Sequence, residues 1–483
     1  MLARSGVQLA GIWFGSLQFQ HLAAHLSDYG EPSTVDVLMM AYYFPPDPTV
    51  GALRTRRFAR HLPEFGWRAT VVTKETPGLR GVKSSSNGDW APAVLQASTL
   101  PGFRSAVLAA AAPVRLLRGK PAVGQADALP GEYVPPNPDS LSGMRRSAYA
   151  LMWLPDDKHG WILPAVAAAL RGVRRCRADV ILSSGPPWSS HLAALIVAKL
   201  TRLPLVTDYR DPWIGSLVKP PAVTTSWSDR AERAMERTVV RTSALTVCTT
   251  EGLRREMLKR YPGLDHDKVV VIPNGYDHDD LAGLPTCQPH FSDVERPVEL
   301  AFVGSLYAQR DPTPLLRAAA ELRRAGAPPF RFVFMGECRS IGGVSLPQLA
   351  QQLGLGDAVC FTGQLPRHDC LARLAQADVG LAFSTGEAWQ VPAKVFEYMA
   401  LRKPILALAD KGSAMWELIA STQAGVAVEA SDSRGLTDAL MAAITRQLTP
   451  CDQSVLAQYD GRALTGRLAD SLNAAVAGRG ASR

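Results

Sequence analysis

From Val35 onward, short β-branched and apolar runs alternate with helical patterns, and this alternation organises the chain. The runs VDVLMMAYYF (35–44), ATVVT (69–73), DVILSS (179–184), PLVTDYR (204–210), ALTVCTT (244–250) and VVVIP (269–273) are almost continuously hydrophobic. A strand with one wet face would alternate; continuous runs predict parallel strands buried on both sides. A second series follows a Pro-rich link around 281–297: VELAFVGSL (298–306), FRFVFMG (330–336), AVCFTG (358–363), VGLAF (379–383), ILALA (405–409) and GVAVE (425–429). Helical periodicity lies between them, at Asp311 to Ala325, Arg367 to Ala377 and Ala393 to Leu401. The expectation is α/β, with two doubly wound domains in tandem at 35–280 and 297–450. Ligands of such sheets bind beyond the carboxyl ends of the strands, which puts the site in the cleft where the two domains face each other.

Three stretches fall outside this pattern. Residues 75–160 are rich in Pro, Gly and Ser and carry two basic, apolar patches, so they read as an insertion into the first domain and as the seat of specificity. Residues 1–34 show Arg4 and then Leu9 to Phe19, but Gly11, Gly15, Gln18 and Gln20 dilute any signal-peptide core. They read as a dispensable extension, and a chain starting near Val35 is expected to fold. Residues 451–483 are expected to form a C-terminal helix.

Composition narrows the classes. With 483 residues, 47% of them hydrophobic, disorder is excluded as the main state. The 7 cysteines include no CxxC, so neither a disulfide framework nor a zinc ribbon is expected, and a reducing, cytoplasmic compartment fits. Leu9 to Phe19 and Ser105 to Leu117 are shorter than the roughly 18 apolar residues that a membrane span needs. The net charge of +8 is uneven: segments 53–74, 102–120 and 144–177 carry +5, +4 and +5, leaving the other residues at −6. A basic first half suits an anionic partner, or is a solvated face. Phe103 to Lys120 and Met144 to Leu154 combine Arg115, Arg118, Arg145 and Arg146 with Tyr149, Trp153 and leucines, the composition of segments that rest on an anionic membrane surface, or of core helices with basic ends. The arginines are not interleaved with stacking aromatics, so nucleic acid is not the expected partner.

Candidate chemistry sits where strands end. VDVLMMAYYF runs into PPDPTVGALRTRRFARHL, a turn with Gly51 followed by a helix bearing Arg54, Arg56, Arg57 and Arg60: an anion site, or a tight turn with a solvated Arg face. FVGSLYAQRDPTPLL ends a strand at Gly304 and reaches Arg310. In GEAWQVPAKVFEYMALRKPILAL, Pro392 can start a helix with Lys394 in its first turn. A cation there opposes the helix dipole, which makes sense if an anion arrives. Glu397 can accept hydrogen bonds from two adjacent hydroxyls, as a ribose offers, or pair with Lys394 along the helix. PLVTDYRDPW places Asp208, Arg210 and Asp211 at a strand end, to orient a hydroxyl and face a phosphate, or to form an ion pair. The triplets Asp265-His-Asp267 and Asp277-His-Asp279 invite a metal reading, but aspartates at turns commonly cap them, and capping is the expectation.

Residues 35–73, 179–216 and 269–450 resemble a retaining glycosyltransferase of family 4 with the GT-B fold, two Rossmann-like domains facing across a cleft. The resemblance rests on PPDPTVGALR, PNGYD, FVGSLYAQRDPTPLL and KVFEYMALRKPILA together. It implies transfer of a sugar from a nucleotide-diphosphate sugar to an acceptor hydroxyl, with retention, in polysaccharide or glycolipid synthesis. The donor would lie on Gly51, Gly304, Ser305, Arg310, Lys394 and Glu397, with Glu397 on the ribose and Arg310 at the position where the family usually has a diphosphate-binding lysine. Asp211, Arg210 and Glu387 are the candidate catalytic residues, the acceptor is a saccharide or lipid-linked saccharide, and neither a cofactor nor a metal is expected. The chain departs from the family pattern at Trp389, where a glutamate is usual, and at Ser305, where an arginine is usual; Glu387 and Lys394 are the nearest replacements. A nucleotide-sugar epimerase and a non-catalytic nucleotide-sugar-binding partner are the alternatives, told apart by acceptor-independent change of the sugar and by donor binding without turnover.

Overall fold

The computed structural model describes residues 35–76, 92–100, 143–216, 219, 224–284 and 296–481. Seven strands form the first sheet: β1 (Val35–Ala41), β2 (Trp67–Lys74), β3 (Ala93–Ala97), β4 (Val180–Gly185), β5 (Leu205–Tyr209), β6 (Leu245–Cys248) and β7 (Val269–Val271). All pairs are parallel and the order is β3-β2-β1-β4-β5-β6-β7. Every residue of β4 and β5 is buried, as their continuous hydrophobicity requires, because helices cover both faces. These are α1 (Gly51–His61), α2 (Gly143–Met152), α3 (Ile162–Cys176), α4 (Ser189–Thr201), α5 (Ser226–Thr242) and α6 (Glu251–Arg260).

The second sheet contains β8 (Val298–Val303), β9 (Phe330–Met335), β12 (Val359–Gly363), β13 (Val379–Ser384), β14 (Ile405–Ala409) and β15 (Gly425–Val428), parallel in the order β12-β9-β8-β13-β14-β15. A small antiparallel hairpin, β10 (Ser340–Ile341) and β11 (Val344–Ser345), stands apart. The helices are α7 (Thr313–Arg324), α8 (Leu346–Gln352), α9 (Arg367–Gln376), α10 (Lys394–Ala400), α11 (Ala414–Thr422) and α12 (Ser433–Ile444), followed by α13 (Gln453–Ala457) and α14 (Gly461–Ala481). In each sheet the chain winds outward from its first strand and then returns to that strand's other side. The order therefore reverses between β1 and β4 and between β8 and β13, and a crevice opens at each reversal.

Two features depart from the sequence reading. Residues 75–160 are not wholly an insertion, because Ala93–Ala97 pairs with β2 as the edge strand β3, and Asp156 accepts hydrogen bonds from Ser189 N at 2.8 Å and Ser189 Oγ at 2.6 Å at the start of α4. The apolar signal of β3 is weak since only one of its five residues is fully buried. The final helix does not stay with the second domain. Leu464, Leu468 and Leu472 of α14 are buried among Val37, Met39 and Phe58 of the first, each contributing about 1.5–3 kcal/mol. The two crossing segments touch at Gly275, where a Cβ would meet Tyr459 O at 2.1 Å. The extension 1–34 and the basic stretch Phe103 to Lys120 lie outside the described residues, among which no helix is long and apolar enough to cross a membrane.

Candidate active site

Gly304 closes β8 in a left-handed conformation, φ 119°, and Gly336 closes β9 at φ 121°. A Cβ on Gly336 would stand 2.4 Å from Gly304 O, so the two strand ends approach as only glycines allow. Behind this turn lies Lys394, the first residue of α10. Its Nζ donates to Val303 O at 2.8 Å and stands 3.4 Å from the Phe302 ring centroid. Lys394 is partly exposed, yet no carboxylate among the described residues pairs with it. Burial of the ammonium, and then repulsion from Arg310, push it well below the usual lysine range.

Arg310 lies on the loop after Gly304, with its guanidinium 4.3 Å from the Tyr307 ring centroid and its buried Nε without a hydrogen-bond partner. Opposite, at the carboxyl end of β13, Glu387 is buried and fixed: Tyr307 Oη donates to its Oε1 at 2.9 Å, Ser384 Oγ to its Oε2 at 3.0 Å, and Arg310 Nη2 is 3.8 Å away. Ser305 is exposed beside this group. Gly304, Ser305, Arg310, Lys394 and Glu387 thus converge at the β8/β13 reversal, an electropositive recess bounded by one carboxylate.

The first domain supplies the facing wall. Asp211 follows β5, half-buried, and its carboxylate makes no hydrogen bond or ion pair among the described residues. Burial raises its pKa, Arg210 opposes this, and Glu387 and Arg310 of the second domain act on it across the cleft. Its neighbours behave otherwise than expected. Asp208 is fully buried and receives Arg54 Nε at 3.1 Å, Arg54 Nη2 at 2.9 Å and Ser184 Oγ at 2.8 Å. Arg210 does not face a phosphate: its guanidinium donates to Gly51 O, Pro186 O and, at 3.3 Å, Gly185 O. It ties together the turns after β1 and β4, and a Cβ on Gly51 would be 3.0 Å from its Nη1. Gly51 therefore makes room for Arg210.

The Arg face of α1 is likewise committed to partners within the protein, with Arg54 and Arg57 buried and Arg56 and Arg60 partly exposed. Arg54 holds Asp208, Arg56 pairs with Asp280, Arg57 donates to Gly275 O at 2.7 Å, and Arg60 pairs with Asp279. The DxD triplets act at turns: Asp265 accepts from Asp267 N at 3.0 Å and Asp277 from Asp279 N at 3.3 Å. Among the described residues no cluster of His, Cys, Asp and Glu is arranged to hold a metal. Glu397 faces Arg367, whose Nη2 donates to its Oε1 at 2.7 Å, so the intrahelical pair with Lys394 does not form.

Several participants left no mark in the sequence. Tyr307 and Ser384 brace Glu387, and Arg367 braces Glu397, across separations of 80, 3 and 30 residues. Trp389 packs on the core of the first domain and its carbonyl accepts from Thr250 Oγ1 at 2.7 Å. Nothing periodic encodes such contacts; the fold alone brings them together.

Two family models match successive parts of the chain: Glycosyltransferase Family 4 matches residues 130–280 and Glycosyl transferases group 1 matches 297–446. An α-maltose-1-phosphate synthase of Mycolicibacterium smegmatis is 25% identical over 339 residues, 65% of this chain and 74% of that protein. The sucrose-phosphate synthase of Thermosynechococcus elongatus superposes with a TM-score of 0.57 at 16% identity, covering 91% of this chain and 100% of that one. Anabaena HepE, solved with UDP and glucose, superposes with a TM-score of 0.55 at 15% identity, covering 91% and 99%. With the two facing parallel sheets and their shared cleft, these similarities identify the chain as a family 4 glycosyltransferase of GT-B fold.

Proposed function

We propose that the donor is a nucleoside-diphosphate sugar, its diphosphate received by the turn at Gly304 and Ser305 with Arg310 and Lys394, and its ribose by Glu397. The observation that carries this is Lys394: a cation held at a strand end without a carboxylate partner among the described residues, its charge made costly by burial and by Arg310. An arriving diphosphate removes that cost. HepE has been solved with UDP-glucose, which makes uridine donors the first to test.

Asp211, free of other bonds, orients the acceptor hydroxyl, and Glu387 fixes Arg310 and faces the transferred sugar. Arg210 acts one step back, by holding the Gly51 turn. The bond from the anomeric carbon to the β-phosphate oxygen breaks, the acceptor oxygen bonds to that carbon on the same face, and the hydroxyl proton passes to the leaving phosphate. Charge grows on the diphosphate during this step, so Arg310 and Lys394 stabilise the transition state more than the bound donor. These cations take the part that a metal plays elsewhere, and the reaction proceeds without one. The acceptor is a saccharide or lipid-linked saccharide of polysaccharide or glycolipid synthesis, reached by a cytoplasmic enzyme at the membrane's inner face.

The test is donor binding and turnover with UDP-sugars in the presence of excess chelator, for the wild type and for Arg310→Ala and Lys394→Ala. Turnover should survive chelation and fall about 10²- to 10³-fold in each variant. Loss on chelation with recovery on adding Mg²⁺ or Mn²⁺ would overturn the metal-free reading, and donor change without acceptor would mark an epimerase.

A further inference from the structure

Arg367 opens α9, where a cation opposes the helix dipole, so its placement serves something other than the helix. A single nitrogen, Nη2, donates to Glu397 Oε1 at 2.7 Å and to Asp280 Oδ2 at 3.2 Å. Asp280 belongs to the segment leaving the first domain, and its carboxylate also receives Arg56 of α1. The charges run Arg56, Asp280, Arg367, Glu397, alternating in sign from the first domain's helix to the carboxylate beneath the nucleotide site. Glu397 and Asp280 are largely sheltered, with side-chain exposures of 11% and 16%, while Arg367 between them is 40% exposed, so solvent screens these pairs from the arginine side.

We infer that Arg367 is a positioning residue that holds one oxygen of Glu397 so that the carboxylate meets the ribose hydroxyls, and that Asp280 and Arg56 hold Arg367 in turn, making recognition of the ribose depend on an ion pair in the other domain. This rests on the reading of Glu397 as the ribose ligand. The chemistry is specific. A carboxylate with one oxygen anchored by a charge-assisted bond presents its remaining lone pairs in one orientation, and a ribose diol donates to them. Without Arg367, Arg56 still holds Asp280 and Arg57 still acts on both carboxylates, but Oε1 of Glu397 loses its anchor and the carboxylate turns from its set orientation.

The experiment measures dissociation constants by calorimetry for UDP, GDP and ADP and for the 2′,3′-dideoxy counterpart of each, with the full chain. The wild type should prefer a ribose form over its dideoxy form by on the order of tenfold, the value of one charged hydrogen bond. Arg367→Gln should reduce this preference to about twofold while leaving the dideoxy affinity unchanged; Arg56→Gln and Asp280→Asn should narrow it by a smaller factor, and Arg367→Lys should keep part of it. Equal loss for ribose and dideoxy forms would make Arg367 a structural residue only and overturn the inference. An unchanged preference in Arg367→Gln and Arg56→Gln would overturn it too while leaving Glu397 on the ribose. A wild type that binds none of the six, or makes no distinction within the pairs, would remove the ribose reading itself and the inference with it.

Discussion

Thr250 of the first domain donates its hydroxyl to the main-chain carbonyl of Trp389 of the second at 2.7 Å, and the indole beside that carbonyl packs against the first domain's core. Trp389 occupies the position where the family usually carries a glutamate. The added Cβ atoms of Gly215 and Gly252 would come within 3.6 and 3.4 Å of its ring, so two glycines of the first domain border the place it fills. The departure from the family pattern is a domain contact.

Restoring the glutamate should therefore not restore anything. Trp389→Glu puts an unpaired carboxylate against apolar core and removes about 2 kcal/mol of burial. It should melt lower than wild type and turn over more slowly, and Trp389→Ala should do both to a smaller degree. A Trp389→Glu enzyme as stable and active as wild type, by calorimetry and initial rate, would refute the domain contact.

Asp208 and Asp211 stand three residues apart and should respond oppositely to the same substitution. Asp208→Asn leaves the fully buried Arg54 guanidinium without its counter-charge, which costs about 3–5 kcal/mol. Asp211→Asn removes a carboxylate that supports nothing else, so melting should be unchanged while kcat falls on the order of 10²-fold. Thermal melts and initial rates on the two purified variants check this. Asp208→Asn with normal stability would contradict the buried clamp.

The contrast within PLVTDYRDPW also marks what the sequence can and cannot tell. The continuous apolar runs made both sheets legible, because burial on two faces leaves no room for polar alternation. The same logic missed β3, whose residues are mostly half-exposed at a sheet edge. In the site, Gly304 and Lys394 were legible because each carries a local anomaly: a glycine at a strand end, and a cation at the wrong end of a helix. Arg210 and the α1 arginines were misread because a charged residue near a turn looks the same in sequence whether it meets a ligand or the carbonyls of a distant turn. Arg210's partners, Gly51 and Pro186, lie 159 and 24 residues away.

Lys394 should separate stability from function. Its charge is disfavoured in the folded state, so folding is weakened most below the folded value, where both states are protonated, and less and less as pH rises from there. Stability from this group therefore rises with pH up to about the ordinary lysine value of 10.5. Lys394→Met removes the charge and keeps much of the volume. The unliganded variant should melt no lower than wild type, and UDP should raise its melting temperature by less than it raises that of wild type. A variant stabilised by UDP as strongly as wild type would take Lys394 out of the donor site.

His61 and Asp277 make the interdomain segment sensitive to pH in a defined direction. His61 Nε2 is 3.8 Å from Asp277 Oδ1, and its Nδ1 is 2.8 Å from Glu64 Oε1. The Asp277 carboxylate raises the imidazole pKa above 6.5, burial opposes it, and Glu64 adds to the rise. Burial would raise Asp277, but His61, Arg60 and Arg57 outweigh it and bring the carboxyl down to about 2. A raised His61 contributes stability that is complete below pH 6.5 and is lost as pH climbs through its folded value. A lowered Asp277 contributes stability that is complete above about pH 4 and is lost as pH falls towards 2, worth about 2 kcal/mol in all. The pair therefore supports the fold most between about pH 4 and 6.5. Melting temperatures recorded from pH 5.5 to 9 should decline above neutrality in the wild type, and His61→Gln should flatten that decline by removing the titrating proton. Parallel profiles for the two proteins would show that His61 stays neutral throughout and that Asp277 is held by its arginines alone.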